Sequence, residues 1–348
     1  MAVQSTVQPG RPWRPTPAQI AKQVGLIFTA AVGALGLNIF TGLEGRLGFA
    51  FSFIAIAIAG SAVLAFSERG FEAAKNAFVQ TLIVIVTLIV LIPLISIIWT
   101  LLENGLPALK PNFFTQDMSL AAPDSPFEEG GASHAIVGTL QLVVIASLLS
   151  IPVGILTALY LTEIRGRFAS LVRFLVQAMA GVPSIVAGLF VYSAWVLGPG
   201  GKYSGLAGGL ALSILMLPTV ARTAEEVLKL VPNDLREAGA ALGGTQWRTV
   251  AGIVLPTARS GLVTSGILGV ARVAGETAPL LLTIFGASVI IYNPFNEAIG
   301  ALPLYIFTYL RLGLEPAIAR AWTAALVLML IVLVLFTIAR YLGGRKSS

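Results

Sequence analysis

The chain has 348 residues, 56% hydrophobic and only 11% charged, whereas an ordinary soluble domain carries roughly 25% charge; most of it is unsuited to water. It holds no cysteine, which excludes a disulfide framework, a thiolate metal site and a cysteine nucleophile. Its net charge of +6 suggests nucleic acid only until the lysines and arginines are placed, because they flank apolar runs and form no single patch.

Residues 1–22 are polar, with Pro9, Pro12, Pro15 and Pro17 opposing regular structure and Arg11, Arg14 and Lys22 adding positive charge, so a tail is expected. The apolar run from Gln23 to about Phe40 has the length of a full span and no small-residue cleavage site behind it. It reads as an uncleaved first helix, not a signal peptide. About Leu47 to Phe66 forms a hairpin with it across a turn holding Glu44 and Arg46. About Ala77 to Leu102 is a third run, long enough for a hydrocarbon core that needs roughly 20 helical residues.

From Glu103 to His134 the chain turns polar, with Glu103, Asp117, Asp124, Glu128 and Glu129 set against Lys110, and reads as a solvated acidic loop. His134, the single histidine, has no partner at metal-ligand spacing, so no metal site is expected. Five more apolar runs follow, at about Ala135 to Leu161, Leu171 to Leu197, Gly205 to Ala221, Ser260 to Ile284 and Ala321 to Tyr341, making eight. The fold class is therefore an all-α, polytopic helical membrane protein. Pro183 and Ser184 predict a packed kink inside the fifth run, and Gly205 with Gly209 forms a small-xxx-small pair that brings backbones close. Arg222, Glu225, Glu226 and Lys229 read as a solvated helix face.

Charge placement predicts the orientation. With the N-terminus inside, sixteen of the 22 lysines and arginines fall in inside segments and five outside (Arg46, Lys110, Lys202, Arg311 and Arg320), while Arg272 lies within a span. Both termini and residues 222–259 then face the cytoplasm, and the acidic loop faces outward.

Residues 222–259 form the longest inside loop. Val231-Pro232-Asn233-Asp234 supplies a turn and a helix N-cap, and Leu235 to Leu242 forms a short helix with Glu237 in its first turn, where a carboxylate suits the dipole. Gly243-Gly244 ends it, and Trp247 opens a second helix toward Pro256. Such a protrusion suits docking into a partner's groove. Arg272 and Glu276, four residues apart in the seventh run, are expected on one helix face and turned to the bundle interior, because charge is costly in lipid. Two readings stand: a buried ion pair that fixes helix register, or an anion path in which the Arg272 guanidinium forks onto oxygens while Glu276 holds it. No G-x-x-x-x-G-K-[ST] occurs; Gly198-Pro199-Gly200-Gly201-Lys202 comes nearest and lacks the spacing, so the chain is not expected to be an ATPase or another enzyme.

The spacing of Glu237, Ala238, Gly239, Gly243, Ile253, Leu255 and Pro256 resembles the EAA loop of ABC-transporter permeases, E-A-A-x-x-x-G-x9-I-x-L-P, with Gly239 in place of the second Ala. Further stretches, AIVGTLQLVVIASLLSIPVGILTALYLTE from Ala135, GVPSIVAGLF from Gly181, RTAEEVLKLVP from Arg222 and ARVAGETAPLLLT from Ala271, are similar to the phosphate-specific permease subunit of the PstA type. Glu276-Thr277-Ala278-Pro279 resembles that type more than its PstC-type companion. The resemblance covers about Phe71 to the C-terminus and leaves residues 23–66 as an extra N-terminal transmembrane hairpin.

That resemblance implies a type I (MetI-like) importer permease of the inner membrane. Residues 71–134 would be the family's first span and outer loop, 135–342 the permease domain with its five-span core and EAA loop 222–259, and 343–348 a cytoplasmic tail. It implies ATPase coupling through Glu237, Ala238, Gly239, Gly243, Ile253, Leu255 and Pro256, and a substrate path at Arg272, Glu276 and Thr277. The implied partners are a PstC-type permease, a cytoplasmic ATPase dimer that binds ATP and Mg, an external phosphate-binding protein and membrane lipid, with no nucleic acid and no cofactor in this chain. Other oxyanions, molybdate or sulfate, and a regulatory module of a phosphate-sensing complex are the alternatives.

Overall fold

The computed structural model describes residues 17–41 and 45–343. Most of the expected N-terminal tail, Glu44 in the first turn and residues 344–348 lie outside the described residues. All regular structure among the described residues is helical, and seven helices are long and apolar enough to cross a membrane, or eight if one bent pair counts as a span. The chain divides into two compact units, one reaching to Ile98 and the other beginning at Trp99.

In the first unit, α1 (Pro17–Thr41) and α2 (Arg46–Arg69) pair as the expected hairpin, and α3 begins at Phe71 and runs through to Gly105. Helix α1 starts inside the expected tail because proline fits a first helical turn, where its missing N–H is no loss. An ion pair joins Lys22 of α1 to Glu68 of α2, and the Thr81 hydroxyl of α3 donates to Ser61 Oγ of α2 at 2.9 Å. The most apolar stretch of α3 has no buried residue. A helix that is apolar all round belongs in lipid.

The second unit is built on α5 (Ser133–Leu159, continued by a π-helical turn Tyr160–Ile164) packed along α8 (Gly205–Lys229). Small residues set their separation. A Cβ at Gly209 would stand 2.4 Å from Ile145 Cγ2, so the second glycine of the small-xxx-small pair is what admits α5. The Ser150 hydroxyl crosses the same seam to the Ser213 carbonyl at 3.0 Å. Leu142, Leu212, Met216, Val273, Leu280 and Ile284 fill the core beside it.

Two expected spans are not continuous. The fifth run divides into α6 (Ala169–Ala180) and α7 (Ser184–Val191, continued by a π-helical turn Tyr192–Val196), which meet at 102°. Pro183 has no N–H to continue the ladder and its ring opposes the carbonyl four residues back, so the chain breaks where a kink was expected. After α9 (Asn233–Ala241) and α10 (Gln246–Thr249, continued by a π-helical turn Val250–Val254), α11 (Leu255–Ala274) ends at Gly275 and a short α12 (Ala278–Thr283) resumes. Helix α13 (Leu302–Arg311) was not anticipated, and α14 (Glu315–Gly343) begins before the expected Ala321.

Segment 103–132, which carries α4 (Pro111–Thr115), is ordered around an arginine. Arg320 of α14 was assigned to an outer segment, yet it is only 1% exposed. Its Nη1 donates to the Ala122 and Pro123 carbonyls at 3.3 and 3.1 Å, and its Nη2 to those of Pro126 and Glu129 at 2.7 and 2.8 Å. The guanidinium carbon also lies 6.0 Å from the Phe127 ring centroid. Asn112 Nδ2 adds bonds to the Phe127 and Gly130 carbonyls at 2.8 and 2.6 Å. Asp117 ties the segment onward by accepting from the Ile290 N–H at 3.2 Å, and the Ser119 hydroxyl, 2.6 Å away, holds its carboxyl below the usual carboxylate range. Glu128 pairs with Lys110, so the acidic loop is a folded element and not merely a solvated one.

Replacing Arg320 by leucine strands several carbonyls, each costing about 1–3 kcal/mol when buried without a partner. Arg320→Leu is expected to lower stability by at least about 3 kcal/mol and to open segment 103–132 to protease. Arg320→Lys should recover only part of this, since one ammonium cannot reproduce the planar fork. Thermal unfolding of the detergent-solubilised chain, with limited proteolysis, measures both.

Candidate functional site

The EAA-like stretch folds at the end of α5 and α8 opposite to segment 103–132. Helix α9 follows Pro232 and closes at Leu242, and Gly243, with φ +76, turns the chain in the left-handed region where other residues are strained. The Gly244 N–H returns to the Gly239 carbonyl at 3.1 Å and α10 starts at once. Gly239 is buried against α10: a Cβ there would lie 2.8 Å from Thr249 Cγ2 and 2.9 Å from Ile253 Cδ1. The departure from the E-A-A pattern thus has a steric cause, because β-branched Thr249 is stiff in a helix and leaves no room for alanine.

Glu237 and Ala238 are exposed on the opposite face of α9. Apolar side chains stand beside them with most of their surface free, Leu242 at 88% and Trp247 at 64% exposure. Ile253 and Leu255 are half-buried and link the loop to α11, and Pro256 lies exposed in that helix's first turn, where proline is tolerated.

Three residues that sequence reasoning did not single out hold this loop in place. Arg236 of α9 donates from Nε and Nη2 to the Glu163 carboxylate at 3.1 and 2.8 Å. Its remaining donors reach the Val231 carbonyl at 2.5 Å and the Leu228 carbonyl at 2.9 Å. Gln246 of α10 donates to the Glu163 carbonyl at 2.6 Å. The carboxylate raises the arginine's already high pKa, so the guanidinium stays charged. The only local sign of Glu163 was a carboxylate closing an apolar run.

Glu225, expected on a solvated face, has a side chain only 8% exposed and accepts from Arg173 of α6 at 2.9 Å and from Lys229 at 3.1 Å. Glu226 and Lys229 do remain exposed. The expectation failed for Glu225 because α6 packs onto that side of α8.

The structure also revises the expected Arg272–Glu276 pair. Arg272 lies in the last turn of α11 and is exposed, not turned to the interior. Among the described residues Arg272 Nη1 donates to the Thr219 hydroxyl of α8 at 3.2 Å, and no ion pair joins it to Glu276. The helix ends at Gly275, so Glu276 leaves the helical path and the four-residue spacing no longer gives a shared face. Glu276 is half-buried in the break, its N–H bonded to the Val273 carbonyl at 3.2 Å. Thr277 caps α12, its carbonyl accepting from the Leu280 N–H at 3.1 Å. The break therefore brings the three residues together in sequence without pairing them.

Residues 150–348, more than half of the chain and all of the loop and break just described, match the family model described as binding-protein-dependent transport system inner membrane component. The phosphate transport system permease protein PstA 1 of Mycobacterium tuberculosis is 40% identical over 260 residues, 74% of this chain and 85% of that protein. The chain belongs to the PstA family of ABC-importer permeases. The PstA relative of Haemophilus influenzae is 40% identical over 253 residues, 72% of this chain and 87% of its own. A probable phosphate transport system permease protein PstA of Methanocaldococcus jannaschii is 38% identical over 260 residues, 73% and 89%. A solved inward-facing structure of the MetNI methionine ABC transporter overlaps 61% of this chain and 90% of its own with TM-score 0.46 and 19% identity. As a PstA-family permease with seven apolar spans, the chain is a multi-pass protein of the cytoplasmic membrane.

Gly239→Ala is expected to destabilise the loop by about 1–2 kcal/mol through overpacking, and Thr249→Ala in the same chain should relieve most of it. Trypsin cleavage at exposed Arg248 reads the change: faster in Gly239→Ala, and near the starting rate in the double variant.

Proposed function

We propose that this chain is one permease subunit of an ATP-driven importer that moves inorganic phosphate across the cytoplasmic membrane. The observation that carries the reading is 40% identity to a phosphate transport system permease along 85% of that protein's length. Both termini and residues 222–259 lie on the cytoplasmic side, as the distribution of sixteen against five basic residues favours.

The chain lacks a P-loop signature, so ATP and Mg bind a partner ATPase dimer that seats on the exposed face of α9 and α10. Glu237, Ala238, Leu242 and Trp247 present that face, while Gly239, Gly243, Ile253, Leu255 and Pro256 shape and support it. A PstC-type permease completes the pathway, and an external binding protein delivers phosphate. Arg272 faces the pathway where the second permease subunit approaches. Its guanidinium is a rigid fork suited to two oxygens of a phosphate, and one hydroxyl leaves most of its donors available. Glu276 and Thr277, in the adjoining break, border the same route.

The experiment is uptake of labelled phosphate by the complete complex in proteoliposomes. Arg272→Ala is expected to lower uptake about tenfold or more, the effect of losing a charge-assisted bond of about 1.5–3 kcal/mol, with ATPase copurification unchanged. Arg272→Lys should recover part of it, and Glu276→Gln should have the smaller effect. Competition by molybdate or sulfate as effective as unlabelled phosphate would assign another oxyanion. Normal uptake without this chain would assign it a regulatory role instead.

A further inference from the structure

Residue Glu163 closes α5, yet elements from distant parts of the sequence converge on it. Arg236, 73 positions later, forks onto its carboxylate, and Gln246, 83 positions later, bonds its carbonyl. The Glu163 side chain is only 7% exposed and that of Arg236 only 21%. We propose that Glu163 and Arg236 are positioning residues that deliver the coupling loop's displacement into α5, in parallel with the covalent path from the loop into α11. The proposal rests on the reading of α9 and α10 as the ATPase docking face.

Helix α9 has nine residues, too few to hold a helix by itself, and its chain connections are a proline joint at Pro232 and a left-handed glycine at Gly243. A push received on α9 would be lost in those joints unless a side chain bridged them. Arg236 does so, since its fork reaches the Leu228 and Val231 carbonyls at the end of α8 and the Glu163 carboxylate at the end of α5 together. A buried ion pair of this kind adds little net stability over well-packed apolar side chains, so orientation is the better account of its presence.

The backbone around Glu163 is built to receive it. The residue sits in the wide π-helical turn Tyr160–Ile164, a form that recurs at functional positions, and the next residue, Arg165, reverses the chain at φ +50 while its Nε donates to the Thr162 carbonyl at 2.8 Å. From there α5 runs beside α8 through the Ser150–Ser213 bond, and α8 carries Thr219, the partner of Arg272. Packed helices move as rigid bodies, so displacement at residue 163 reaches the anion path.

The test uses the complete complex of both permease subunits, ATPase and external binding protein in proteoliposomes, and reads phosphate taken up per ATP hydrolysed. Glu163→Gln and Arg236→Met are expected to lower that ratio about fivefold or more while the ATPase still copurifies, which is the low end of coupling between sites. Because this chain has no cysteine, Glu163→Cys with Arg236→Cys can be bridged by a short bis-maleimide; the bridge should restore a ratio that the unbridged pair has lost. An unchanged ratio in Glu163→Gln, or no recovery on bridging, overturns the proposal. Should those variants fail to accumulate, Arg236→Lys decides: an intermediate ratio supports the proposal and a full one refutes it. A wild-type complex that carries another oxyanion leaves the ratio to be read with that anion, whereas loss of ATPase copurification by the wild-type chain would sink the docking reading itself.

Discussion

An apolar bundle in lipid offers no water to a carbonyl that has left its helix, and this constraint governs where the chain can be irregular. At each end of the second unit the same need arises wherever backbone is folded away from water, and a guanidinium meets it. Arg320 satisfies four carbonyls of segment 103–132, and Arg236 satisfies two carbonyls and a carboxylate beside α9. Arginine suits the role because its five donors lie in one plane at fixed angles, so one buried side chain fixes several backbone segments relative to each other. Both loops that could meet partners are therefore shaped structures and not tethers.

The same constraint explains where helices break. Gly181 and Pro183 divide α6 from α7, and Gly275 divides α11 from α12; at each break the freed N–H groups turn back onto the preceding helix, those of Gly181 and Val182 to the Ala178 and Met179 carbonyls and that of Glu276 to the Val273 carbonyl. The π-helical turns work on a finer scale. The turn at Val250–Val254 widens the helix just where Ile253 must lie against Gly239, and the turn at Tyr160–Ile164 accommodates Glu163. Two of the three π-helical turns thus lie at the proposed docking face and the end of α5 that supports it, while the third, Tyr192–Val196, closes α7 away from both.

Much of this was legible in the sequence, for a physical reason. Lipid demands long apolar runs, so the approximate positions of the crossing helices follow from composition, and the glycine and proline spacing after Glu237 dictates a turn that few other arrangements satisfy. The path within a run was only partly legible: Pro183 marked where the fifth run would kink, but neither proline nor hydropathy says that α6 and α7 meet at 102°. Pairings were not legible either: Glu225 read as solvated until α6 was seen to cover it, and nothing near Glu163 announces a partner 73 residues later. Charges persisting at the edges of apolar runs were the available signal. Arg320, Glu163 and Glu225 all carried it; Arg320 and Glu225 proved to be buried, and Glu163 has its side chain largely covered.

Comparison of three arginines sharpens what Arg272 is for. Arg320 and Arg236 are rich in acceptors from their own chain, as a guanidinium removed from water requires. Arg272 meets one hydroxyl among the described residues, and the helix break at Gly275 carries the nearest carboxylate in sequence, Glu276, off its face. A charge so placed in a membrane protein is costly unless acceptors arrive from elsewhere. The second permease subunit and the transported anion are the sources that the proposed function supplies. A carboxylate fixed on Arg272 would occupy the fork that an oxyanion needs, and a fork saturated like that of Arg320 would have nothing to offer. On the proposed function, the break at Gly275 therefore does more than end a helix: it leaves the arginine positioned and incompletely satisfied, as transient binding of an anion demands.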